Sequence, residues 1–219
     1  MASFATSPVD RGALAASACI LLLSALAWGW QVHEAAAMAA MGAMRMPATD
    51  WLTLQAVFAL LMWISMMQAM MLPAALPVLL LYRRCLQRDA RRTLKLLLFC
   101  TAYGLLWSAF GALMTCLQAF GEQLGWLDPM ALRLPPLLGA AILVLAGGYQ
   151  LSQAKATCLA HCQSPLQFLQ QHARPGLSGA WRLGLQHGLY CLGCCWALML
   201  ILLVLGAMVG LPFFVLSTV

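Results

Sequence analysis

From Trp51 to Leu81 no residue carries a charge, and nearly every one is apolar. A helix needs only about 20 such residues to cross the ~30 Å hydrocarbon layer of a bilayer. The run also holds Pro73 and Pro77. Each proline removes a helical hydrogen bond and frees a carbonyl, so other groups must satisfy those carbonyls inside the fold. Comparable runs cover 12–30, 93–117, 132–152 and 183–211.

Composition decides between a buried core and a membrane. Hydrophobic residues make up 63% of the 219 and charged residues 8%, against about 25% charged in a soluble domain. A water-soluble globule is excluded. An outer-membrane barrel would need alternating strands of about ten residues, and none appear. The sequence predicts an all-α integral membrane protein. It forms a single membrane domain over 1–219, a polytopic bundle of about five transmembrane helices plus a short cytoplasmic amphipathic helix.

The few charges set the orientation. Arg83, Arg84, Arg88, Arg91 and Arg92 stand together against the lone Asp89, which places that loop in the cytoplasm. The 118–131 loop holds Glu122 and Asp128, and the 153–182 loop holds Lys155, Arg174 and Arg182 with no acid. Alternation puts the amino terminus inside, the 31–50 loop outside and the carboxyl terminus outside. The net charge of +6 therefore reads as topology in a bacterial inner membrane, and nucleic acid is not an expected partner. Ala35, Ala36 and Ala37 resemble a signal-peptide cleavage site, but the first run is long for a signal core and is read as a retained helix.

Sulfur is the unusual element, with nine cysteines and fourteen methionines. In the 31–50 loop Met38, Met41 and Met44 recur every three residues, with His33 before them. Thioethers suit Cu(I) and need no deprotonation, so this loop is a candidate external metal site; a surface helix with methionine as its apolar face competes with that reading. In the second span Met66 and Met70, with Met71 beside them, give a thioether ladder like the gate of Ctr-type copper transporters. Ordinary packing is the competing role. Gln68 is a mid-span amide that should face protein. Gly104, Ser108, Gly111 and Ala112 give the third span a small-residue face for close helix approach.

The densest constellation lies further on. Cys158 and Cys162 are one helical turn apart with His161 between them, and His187, Cys191, Cys194 and Cys195 open the last span. On charge pattern all belong to the cytoplasmic side, where thiols stay reduced. Thiolates with imidazole suit Cu(I), and zinc is a second candidate. Disulfide exchange through Cys191 and Cys194 would put a working pair on the reducing side.

Several blocks resemble a bacterial family of predicted metal-binding integral membrane proteins, a domain-of-unknown-function family. They are Trp63 with Met66; Ala69-Met70-Met71-Leu72-Pro73; Tyr149-Gln150; Lys155, Cys158-Leu159 and Cys162-Gln163-Ser164-Pro165. The most specific block runs from Gly184 through His187-Gly188 and Cys191-Leu192-Gly193-Cys194-Cys195-Trp196 to Met199. The resemblance covers roughly 50–210. It implies copper handling and delivery of copper to copper enzymes. Gln163 departs from the arginine expected there, which removes a local ion pair and leaves the ligands untouched.

The leading expectation is a Cu(I)-handling protein of the bilayer, for transport or for delivery to a copper enzyme or copper chaperone, alone or in a homo- or hetero-oligomer. No nucleotide-binding motif appears, and an enzymatic role is not the expected one. The alternatives are a subunit of a copper-dependent membrane oxidoreductase, and a metal-free structural subunit of a membrane complex.

Overall fold

The computed structural model describes residues 11–40, 54–127 and 134–205. Among them the chain is helical, with no strand. The helices are α1 (Arg11–Ala40), α2 (Leu54–Cys85), α3 (Arg92–Gln123), α4 (Pro136–Gln150), α5 (Gln153–Gln163), α6 (Pro165–His172) and α7 (Gly176–Leu205). Stretches of α1, α2, α3 and α7 are long and apolar enough to cross a membrane; α4 and α5 make a fifth only as one span bent by 62°. Apolar side chains face outward all round, among them Leu22 on α1, Leu97 on α3 and Val144 on α4, the pattern of a bundle whose surroundings are themselves apolar.

Helix α2 lies between α1 and α3. Its Pro73 has no N–H to give the carbonyl of Ala69, four residues earlier. Ser24 of α1 donates its hydroxyl to that carbonyl instead. Two turns further along α1, Gln31 Nε2 donates to the Met62 carbonyl at 3.0 Å and to Ser65 Oγ at 2.7 Å. These polar contacts seat an otherwise exposed helix. On the other side of α2, Gln68 Nε2 donates to the Gly104 carbonyl at 2.7 Å and to Ser108 Oγ at 3.0 Å. A Cβ at Gly111 would stand 3.2 Å from the Ile64 backbone. The expected small-residue face of α3 is thus the face that meets α2, and Gln68 does point into protein.

Helices α3 and α7 run parallel. Gly184 lies against the Phe99 carbonyl and Gly188 against Leu106 and Tyr103, so both helices advance together. Parallel neighbours require a return crossing, and α4 with α5 supplies it. Tyr149 meets α7 at Gly193 and Trp196, Cys158 at Gly193, and Phe168 at His187. The chain therefore descends α7 as its own numbering rises.

Several boundaries differ from the sequence expectation; α3 continues to Gln123, so Glu122 of the expected 118–131 loop is in helix. Helix α1 continues to Ala40, so the first part of the expected 31–50 loop is helix. The expected 153–182 loop is largely helical, holding α5, α6 and the start of α7. Gly176, at a φ of 87° and just after Pro175, marks the turn into α7. That start, seven residues before 183, moves Cys191–Cys195 from the first third of the helix to its middle. The amphipathic helix α6 starts at Pro165, as its Ser-Pro signal predicts. Its Phe168 and Leu169 are buried against Val78, Tyr82, Phe99 and Leu183, because the bundle offers them an apolar groove.

Candidate metal centre

Cys191 and Cys194 are three residues apart on α7, so their side chains share one face. Cys162 reaches that face from α5. The sulfurs of Cys162, Cys191 and Cys194 all lie within 4.8 Å of one another, and Cys162 and Cys194 are 4.0 Å apart. Three sulfurs each about 2.3 Å from one ion in trigonal geometry stand roughly 4 Å apart. The trio has that spacing. Cys195 Sγ lies 3.3 Å from Cys194 Sγ, at the edge of the trio. All nine cysteines are free of disulfides.

Local structure explains why α5 arrives there. Ser152 accepts from the Lys155 amide at 3.2 Å and caps α5 just after the bend. Tyr149 fixes the other side of the bend, donating its hydroxyl to the Gly193 carbonyl and setting its ring edge-on to Trp196, with centroids 5.0 Å apart. Gly193 lets the two helices touch, since a Cβ there would come 2.7 Å from Cys158 Sγ. Cys158 is thereby set one turn before Cys162, beside the trio.

His187 sits one turn before Cys191 and is 2% exposed. Phe99, Tyr103 and Phe168 surround its ring, with centroids 5.9, 5.6 and 5.2 Å away. Its Nδ1 is buried with no hydrogen-bond partner among the described residues. An unsatisfied polar atom in such a place costs about 1–3 kcal/mol, which suits a nitrogen held ready for a ligand.

Met66, Met70 and Met71 are buried and belong to the same core cluster as Cys191 and Met199. The thioether ladder therefore shares one buried cluster with Cys191 of the trio. Sequence reasoning missed Tyr103, whose hydroxyl lies 3.0 Å from the Met71 carbonyl and 3.4 Å from Cys191 Sγ. Its one signal is a phenol placed mid-span with no charged partner.

Other candidates stand apart. His161 is on the trio's helix, but its Nδ1 is bonded to the Thr157 carbonyl at 2.8 Å and its ring stacks on Tyr190. His33 is exposed near the end of α1, 3.9 Å from Glu34. Met38 is in the last turns of α1, and its side chain lies outside the described residues, as do Met41 and Met44. The acidic Asp128 and the carboxyl terminus also lie outside them.

A family model described as PpoB2, copper chaperone, matches residues 60–219. No curated protein and no solved structure matches the chain. The matched region contains α3 to α7 and nearly all of α2, and so every residue of the thiol trio, the ladder and His187. Helix α1 lies outside it.

Proposed function

The chain belongs to the PpoB2 copper chaperone family, and on that premise we propose that it holds Cu(I) inside a membrane-embedded helical bundle and delivers it to a copper enzyme. Copper is the cargo. The observation that carries this reading is the convergence of Cys162, Cys191 and Cys194 within 4.8 Å. Among the described residues no fourth Cys, His, Asp or Glu lies within 4.8 Å of all three; Cys195 Sγ, 3.3 Å from Cys194 Sγ, stands outside that group. A structural zinc site takes four ligands in a tetrahedron, whereas Cu(I) is content with three soft ones. The donor set favours Cu(I).

The ladder gives the ion a way to move. Met66, Met70 and Met71 offer neutral thioethers in the same buried cluster as Cys191, and weak sites in series allow passage where one tight site would trap the ion. His187 supplies a nearby nitrogen, Nδ1, with no hydrogen-bond partner among the described residues. The arginine cluster between α2 and α3 favours an inner-membrane protein with that loop in the cytoplasm.

The test is metal analysis of the purified full-length chain in detergent, loaded anaerobically with Cu(I). The wild type should retain stoichiometric copper, and Cys162→Ser/Cys191→Ser/Cys194→Ser should lose its tightly held ion. A wild type that retains no copper in competition with a Cu(I) chelator overturns the proposal.

A further inference from the structure

A second group of donors lies on α5 and α6. His161 on α5 and His172 at the end of α6 have ring centroids 6.2 Å apart, with planes at 74°. Each ring is anchored in the same way. His161 Nδ1 is 2.8 Å from the Thr157 carbonyl, and His172 Nδ1 is 3.1 Å from the Phe168 carbonyl. A carbonyl only accepts, so Nδ1 carries the proton in both, and in the neutral ring Nε2 keeps its lone pair. Carbonyl-anchored imidazoles with a bare second nitrogen are the usual form of histidine ligands to metals.

Packing fixes both rings. Tyr190 of α7 stacks on His161 at 4.4 Å, with planes 4° apart. Phe168 stacks on His172 at 4.9 Å. Two imidazole nitrogens about 2.0–2.1 Å from one ion, both facing it, hold their ring centroids on the order of 6 Å apart, and the observed 6.2 Å is within that reach. Both histidines are half-buried, so the pair is reachable from outside. His161 adjoins Cys162 in sequence, and the Tyr190 ring that stacks on it belongs to the residue before Cys191.

We infer that His161 and His172 form a second, two-coordinate Cu(I) site, an exchange point through which the ion passes between the thiol trio and a soluble donor or acceptor. The identity of the ion rests on the function proposed above; the pairing of the two rings does not. Two neutral nitrogens bind Cu(I) more weakly than three thiolates, which suits a site that must release its ion.

The experiment is an anaerobic Cu(I) titration of the full-length chain in detergent against a chromogenic chelator, with X-ray absorption on the copper-loaded samples. The variants are His161→Phe/His172→Phe, which keeps the aromatic packing, and Cys162→Ser/Cys191→Ser/Cys194→Ser. The wild type should bind a tight sulfur-ligated equivalent and a weaker nitrogen-ligated one. The double-histidine variant should lose only the weaker one and give up copper to the chelator at least tenfold more slowly. The triple-cysteine variant should keep the weaker equivalent, with nitrogen scattering alone. Equal stoichiometry and equal release rate in the wild type and the double-histidine variant overturn the inference. A wild type with the nitrogen-ligated equivalent and no sulfur-ligated one overturns the trio as the copper site and leaves this inference standing.

Discussion

The Tyr103 hydroxyl stands between two partners, 3.0 Å from the Met71 carbonyl and 3.4 Å from Cys191 Sγ. It bridges the ladder helix and the thiol helix from a third, α3. When Cys191 is a thiol, the phenol donates to the carbonyl and the thiol can donate to the phenol. When Cys191 is a thiolate bound to an ion, the sulfur competes for the phenol's proton. A hydrogen bond to a charged group is worth about 1.5–3 kcal/mol. Tyr103→Phe is therefore expected to weaken Cu(I) binding roughly tenfold to a hundredfold with little loss of stability, read by chelator competition and thermal unfolding in parallel.

Gly193→Ala should disturb the trio without touching a ligand. The new methyl would lie 2.7 Å from Cys158 Sγ and would push α5 off α7, carrying Cys162 with it. Overpacking of this kind costs about 1–3 kcal/mol. Cys158→Ala in the same chain removes the sulfur in the way and should restore much of the lost Tm and copper affinity. Strict additivity in that double-mutant cycle would refute the account.

Ser24→Ala leaves the Ala69 carbonyl without the hydroxyl that replaces the missing Pro73 N–H. The expected cost is about 1–3 kcal/mol, seen as a lower Tm. Adding Pro73→Ala supplies an N–H inside the helix, so the Ser24 substitution should cost less in that background. An unchanged cost would show that the hydroxyl acts elsewhere.

Asp89, in the turn between α2 and α3, pairs with Lys95 and accepts from the Arg91 amide at 2.8 Å. The hydrogen bond from Lys95 is the main cause that holds its carboxyl below the usual range of about 3.8. A depressed carboxyl stabilises the fold above its unfolded pKa and loses that contribution as pH falls through its folded value. The Tm gap between wild type and Asp89→Asn should be open at neutral pH and close in strong acid. A gap that does not vary with pH would remove the ion pair from the account.

The sequence was most legible where physics is additive. Uncharged runs announce long helices, and Gln68 and Gly111 announce where α2 and α3 touch. The trio was half legible: Cys191 and Cys194 follow from helical spacing, whereas Cys162 joins them only through the bend after Gln150. That bend depends on Ser152, Tyr149 and Gly193 acting together across 44 residues, and periodicity holds no trace of it. His172 was passed over for a related reason. It reads as the polar end of an amphipathic helix, and only the fold of α6 against α5 brings it to His161.

The unequal burial of the trio gives the centre a front and a back. Cys191 and Cys194 are 6% and 5% exposed, while Cys162 is half-buried. On the proposed function, a visiting protein meets the sulfur of Cys162 before the two behind it. Handover on that reading begins at α5, with the ion still gripped by α7, and copper need not leave as a free ion in water. The helix that carries the outer thiol then fixes the face from which the ion is taken.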